Sequence, residues 1–225
     1  MVRVAQRGLW PTVISLALIG SVVAVIRTIR LLPALLAGPL PLTEPPPLDY
    51  MFAQFPWLTL AHVLPGLLFM ILGPLQFNVR LRTNYPALHR ISGRVFVVSS
   101  LIIGGTALVM SVVMPAIGGI TQATATGLFA LYFLFALGKA FWHIRRRQIA
   151  AHRAWMVRAF ATGLAVATIR PIVGLFYATS RLSGLTPQEF FGIAFWLGFV
   201  LHLMAAESWI ALTRPVYHRS RHAST

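Results

Sequence analysis

The run Ala151-His152-Arg153-Ala154-Trp155-Met156-Val157-Arg158-Ala159-Phe160, continuing to Ile169-Arg170-Pro171, decides how the chain reads. It leaves a cluster of arginines, turns apolar and ends on an isolated arginine. His152 and Arg170 are eighteen residues apart, which is five whole helical turns at about 3.6 residues per turn. They fall on one stripe, roughly 27 Å apart at 1.5 Å per residue. That nearly crosses a bilayer's hydrocarbon core of about 30 Å. The stretch reads as a membrane-spanning helix with a polar group near each end.

Composition extends this reading to the whole chain. Of 225 residues, 57% are apolar and only 10% are charged. A soluble domain carries about 25% charged residues, and a soluble fold of this size has too little interior for so much apolar surface. Lipid is therefore the solvent for most of it. There is no cysteine, which excludes disulfides, iron–sulfur clusters and thiolate sites. The net charge of +15 would suggest nucleic acid in a soluble protein. Here its distribution reports topology instead, and nucleic acid is not an expected partner.

Six apolar spans are expected, at about 9–30, 57–77, 91–114, 122–144, 150–178 and 188–212. They form one integral membrane domain over residues 1–225, an all-α polytopic bundle. Arg3 and Arg7 precede the first span like the basic start of a signal peptide. The apolar run that follows exceeds a signal peptide's usual length, so it reads as a retained helix. Residues 37–56 hold Pro39, Pro41, Pro45, Pro46, Pro47 and Pro56, a density that forbids a helix and favours extended structure. The tail from Thr213 to Thr225 is basic.

Six spans put both termini on one side, and 14 of the 18 arginines flank that side. The other face has Arg27, Arg30 and Arg181, balanced by Glu44, Asp49 and Glu189. The positive-inside rule thus places both termini in the cytoplasm, and the expected location is a bacterial inner membrane.

Polar residues inside spans are costly and are functional candidates. His89, His143 and His152 lie at one level near the cytoplasmic face, among Arg94, Arg153 and Arg158. Above His89 the same helix face carries Gly93, Phe96, Ser100 and Gly104; above His152 it carries Ala159, Gly163 and Val166. Small residues above a histidine leave a flat slot for b-type haem, with His89 and His152 as axial ligands to the iron and the arginines on its propionates. They equally suit close helix packing in lipid. Lys139 and Glu207 lie in the cytoplasmic half and would pair, or Glu207 would reach Arg214; His202 projects from another face of the last span. His62 and Arg170 lie toward the outer ends of their spans, where they would form a site for a quinone or another anionic or carbonyl-bearing ligand. Pro171 is expected to favour a kink beside Arg170. No phosphate-binding glycine loop, nucleophile elbow or zinc-spaced histidine pair is present.

Two motifs carry a resemblance. His89-Arg90-Ile91-Ser92-Gly93-Arg94 and His152-Arg153-Ala154-Trp155-Met156-Val157-Arg158, with Arg170 downstream, resemble a family of bacterial predicted membrane proteins, the domain of unknown function 2306 family. The resemblance covers about residues 55–213 and implies a six-helix membrane protein without an assigned activity. A looser architectural likeness is to cytochrome b561-type bundles, which hold two haems between histidines; only His62 stands on the outer side here, so one haem or none is implied. Three functions remain from these readings: a haem- or quinone-linked redox protein, a transporter using Arg170, Glu207 and Lys139, and a non-catalytic membrane partner protein. Substrate and oligomeric state are not legible.

Overall fold

The structure is a computed structural model that describes residues 2–38 and 50–213, with side chains for 9–36, 38 and 50–213. The segment Pro39 to Asp49 (with Glu44), the side chains of Arg3 and Arg7, and the tail from Arg214 onward lie outside the described residues.

The elements are α1 (Val2–Ala37), α2 (Tyr50–Gln54), α3 (Pro56–Gln76), α4 (Val79–Asn84), α5 (Pro86–Val113), α6 (Gly119–Arg145), α7 (Ile149–Ser183) and α8 (Pro187–Thr213). Six of these helices, all but α2 and α4, are long and apolar enough to cross a membrane. The ends follow local chemistry. Proline opens α3, α5 and α8, where its missing N–H costs no intrahelical bond. Glu189 caps the start of α8, its Oε2 accepting from Thr186 N and Oγ1, both at 2.8 Å. Gly184 closes α7 at φ 69°, a left-handed position that suits glycine.

One expectation needs correction. The proline-rich gap is not helix-free: Tyr50–Gln54 makes a helical turn, because no proline falls between Pro47 and Pro56. The fifth span runs as one helix with Pro171 inside it. A further short helix, α4, joins the second and third spans, with Asn78 Oδ1 accepting from Leu81 N at its start.

Each long helix contacts its neighbours in a ring of α1, α3, α5, α6 and α7, which α1 closes against α7; α8 lies outside, against α6 and α7. We call the face carrying the starts of α1, α5 and α7 proximal, and the opposite face distal. The bundle is apolar outside as well as inside: Leu64, Leu68, Ile71 and Leu75 form an exposed stripe on α3, and Ile91, Val95, Val98 and Ile102 one on α5. Water would penalise such stripes, whereas lipid does not. The centre of the ring holds Phe69, Phe96, Phe133 and Phe160.

Candidate functional site

The distal half of the ring is hollow. A cavity of about 290 Å³ lies among α1, α3, α5, α6 and α7, with Met51 and Phe52 of α2 at its edge. Its walls follow helical spacing. Gly20, Val23, Ala24 and Arg27 line it from α1, and His62, Val63, Gly66 and Phe69 from α3. Gly104, Ala107 and Ser111 come from α5, and Gly163, Val166 and Arg170 from α7. These are one-face repeats of three and four residues. Phe69 and Phe133 form the floor, where the aromatic core begins.

Three cationic or titratable side chains face this largely apolar space. His62 and Arg170, 108 positions apart, line the same cavity, as the depth of each in its span suggested. The third is Arg27, which sequence reading treated only as a flanking charge. It is 7% exposed, and its guanidinium lies 4.0 Å from the centroid of the Phe52 ring, a cation–π contact. Thr59 Oγ1 donates to Phe52 O at 3.0 Å and so ties α2 to α3. The stripe from Gly20 to Arg27 was the available signal, since it repeats the pattern that pointed to Arg170.

Hydrogen bonding fixes the tautomer of His62. Thr106 Oγ1 donates its proton to Ile102 O at 2.7 Å. Its lone pair therefore accepts from His62 Nδ1–H at 2.9 Å, and the neutral ring keeps Nε2 as an acceptor. The cavity thus offers guanidinium donors and one imidazole acceptor.

The proximal half is filled. The stripe of small residues expected to leave a porphyrin slot is occupied by the protein's own side chains. A Cβ at Gly93 would meet Gln76 Oε1 at 3.0 Å, and Gly73 lies against the Phe160 ring. Gly104 and Gly163, farther along the same stripes, border the distal cavity and rest on Leu134 and Phe69 there. Phe69 stacks on Phe96 at 4.9 Å between centroids, and Phe77 meets Phe160 at 5.3 Å. Haem therefore does not fit between the stripes as they are packed.

The inner histidines separate into two settings. His143 Nδ1 donates to Gln148 Oε1 at 2.6 Å within the α6–α7 turn. His152 Nδ1 donates to Ala140 O at 2.9 Å, which leaves its Nε2 as an acceptor. His89 lies within electrostatic reach of His152, Arg82 and Arg90. Arg94 is exposed one turn beyond Arg90 on α5.

The remaining polar candidates hold α8 to α7. Arg158 pairs with Glu207 through two bonds, Nε–Oε1 at 2.5 Å and Nη2–Oε2 at 2.8 Å. Arg153 Nη1 donates to Thr213 Oγ1 at 3.1 Å, and His202 Nε2 lies 2.7 Å from Thr168 Oγ1. Glu207 thus chooses Arg158 over Lys139, whose ammonium sits 4.8 Å from the Trp142 ring and 5.9 Å from the Trp155 ring. Arg158 also stacks on Trp155, 4.6 Å from the ring centroid. Among the described residues, no group of three or more His, Asp or Glu side chains is arranged to hold a metal ion.

A family model described as "Predicted membrane protein (DUF2306)" matches residues 59–210, well over half of the chain. The chain belongs to this family. No curated protein and no solved structure matches it. The DUF2306 match runs from α3 through α8 and includes His62, Arg170 and the proximal histidines. Arg27 and Phe52 lie before it, so one wall of the cavity comes from outside the matched region. The protein is thus a multi-pass membrane protein of the DUF2306 family with a hollow distal half.

Proposed function

We propose that this protein binds an amphipathic, lipid-phase ligand with a carbonyl-bearing or anionic head, of the quinone type, in the distal cavity. The observation that carries this reading is that His62 and Arg170 line one apolar cavity. Arg27 adds a second guanidinium at its edge. Ligand pockets usually combine apolar walls with a few convergent polar groups and measure about 300–1,000 Å³. At about 290 Å³, this cavity suits a head ring and the start of a tail. Guanidinium N–H groups would donate to carbonyl oxygens, and His62 Nε2 would accept from a hydroxyl of the reduced form.

Two of the lining residues on α7, Val166 and Arg170, are exposed, whereas most of the other walls are buried or half-buried. The α1–α7 contact lies nearer the proximal side, where Ala17 meets the core with Phe160 and Leu164. A ligand tail would therefore leave beside α7. With the arginine-rich face in the cytoplasm, the cavity belongs to the extracytoplasmic leaflet of a bacterial inner membrane.

The test is equilibrium binding of a short-chain quinone to the purified protein in nanodiscs, with a fatty acid as competitor. We expect saturable binding that the fatty acid displaces. Arg170→Gln should weaken binding of the quinone and of the fatty acid by about tenfold or more, one charge-assisted bond being worth roughly 1.5–3 kcal/mol, and His62→Gln should weaken binding of the reduced, quinol form several-fold, a neutral hydrogen bond being worth about 0.5–1.5 kcal/mol. If neither probe binds, or if both variants bind as the parent does while remaining folded, the proposal fails.

A further inference from the structure

We infer that the proximal flank of the bundle, along the seam of α6 and α7, binds the headgroup of an anionic phospholipid. This inference is independent of the distal cavity. It starts from the chain's single lysine. The Lys139 ammonium lies 4.8 Å from the centroid of the Trp142 ring on its own helix and 5.9 Å from that of Trp155 on α7. Both are cation–π distances. The same two rings hold two more cations. Arg146, the residue that caps the end of α6, stacks on Trp142 at 3.9 Å, and Arg158 on Trp155 at 4.6 Å. Phe135 of α6 meets Trp155 edge-on at 5.5 Å between centroids and so fixes that ring across the seam. Trp155 and Arg158 belong to the motif that begins at His152, and the distal cavity uses neither.

The three cations differ in what neutralises them. Glu207 accepts two bonds from Arg158. Among the described residues, no carboxylate pairs with Lys139 or Arg146. Glu189, the other acid described with its side chain, caps α8 at the distal face. An ammonium carries three N–H donors. Aromatic rings attract its charge but offer no oxygen lone pair, and an unmatched charge beside hydrocarbon is costly.

Depth selects the partner. Lys139, Trp155 and Glu207 each stand six residues from the proximal end of α6, α7 or α8, roughly 9 Å along the axis. With 27 residues, α6 spans about 40 Å. That is the thickness of a bilayer with its headgroups, around a hydrocarbon core of about 30 Å. Lys139 therefore sits where acyl chains give way to headgroups, with Arg146 farther out among the phosphates. Phe135 and Trp142 are exposed on this flank, so the site opens to lipid rather than to the bundle interior. Lys139 and Arg146 match a phosphodiester that keeps its net negative charge, and the exposed rings give its acyl chains an apolar strip. A choline group would instead add a further cation to rings that already hold three.

Native mass spectrometry of the full chain, released from micelles with equal amounts of phosphatidylglycerol and phosphatidylcholine, tests this. The readout is the ratio of the two lipids in the complex that retains one. We expect phosphatidylglycerol to be favoured about fivefold, the effect of one cation beside an anionic lipid surface. Lys139→Met should bring the ratio toward parity, and Lys139→Arg should keep the preference because the charge stays. Arg90→Gln, which removes an exposed charge of α5 at the same face, should leave it unchanged. An equal ratio in the parent protein would overturn the inference without any variant. So would a preference that survives Lys139→Met, or a loss as large in Lys139→Arg or Arg90→Gln as in Lys139→Met.

Discussion

Gly66 and Gly73 stand seven residues apart on one face of α3, close to two full turns, and they meet opposite surroundings. A Cβ at Gly73 would collide with the Phe160 ring, whereas one at Gly66 would have Ile103 Cγ2 as its nearest neighbour, at 3.9 Å. The two halves of the bundle differ in the same way. Proximal to Phe69, small residues let phenyl rings lie against helix backbones; distal to it, the same kinds of residue border empty space with Arg27, His62 and Arg170 around it. A stripe of small residues is therefore not itself a signal for packing or for binding. What decides is whether the facing helix supplies a large side chain. Phe69 and Phe160 supply it on the proximal side, and His62, Gly66 and Ala107 leave it out on the distal side.

The strongest way to break this contrast is to empty the filled half. Phe160 is buried and meets Phe69, Phe77 and Phe96. Phe160→Ala should cost about 3–5 kcal/mol, the usual range for a large aromatic truncated in a close-packed core. In lipid the loss is mainly dispersion and cavity formation, because lipid tails are as apolar as the side chain. Reversible unfolding in mixed micelles measures it; a loss below about 1 kcal/mol would mean that the proximal half is as loose as the distal one.

A smaller effect tests the polar link between α7 and α8. Glu207→Gln removes the carboxylate that takes both Arg158 bonds. With Glu207 51% exposed on the flank of the bundle, lipid offers Arg158 little in replacement, and the cost should be about 2–3 kcal/mol. Glu207→Asp should recover part of it. The same unfolding assay applied to Lys139→Met should show almost no change if Lys139 is held only by tryptophan rings; a loss equal to that of Glu207→Gln would revive a Lys139–Glu207 pair.

How much of this was legible follows from what each feature depends on. The six spans depend on apolar length alone, so their number and places were readable: the expected 57–77, 122–144 and 188–212 became Pro56–Gln76, Gly119–Arg145 and Pro187–Thr213, while 9–30, 91–114 and 150–178 became the longer Val2–Ala37, Pro86–Val113 and Ile149–Ser183. The meeting of His62 and Arg170 was readable because depth along a span follows from topology. The partner of Glu207 was not, because Lys139 and Arg158 lie in the same half of the bilayer, and the rotation of α8 about its axis decides between them. Packing sets that rotation: Gly198 rests on Ile169 and Gly192 on Thr121. Nor did spacing predict that Phe69, Phe96 and Phe160 would converge from three helices onto one level and close the expected slot.

Gly73→Ala should cost about 1–3 kcal/mol, the usual range for overpacking, since the added methyl group meets the Phe160 ring.

Gly66→Leu is the sharpest and least destructive of these tests. Its side chain would enter the cavity from α3, between His62 and Phe69. Replacing glycine inside a helix by leucine is favourable by up to about 1 kcal/mol in propensity, and the nearest side-chain atom leaves room. Stability should therefore stay within about 0.5 kcal/mol of the parent, while the short-chain quinone loses its place. A folded Gly66→Leu protein that still bound the quinone with parental affinity would show that the ligand sits elsewhere. A Gly66→Leu protein that failed to fold would show that the distal half is packed as tightly as the proximal one, which would remove the contrast itself. Paired with Gly73→Ala on the same helix face, it asks one question of both halves: whether an added side chain meets protein or meets room for a ligand.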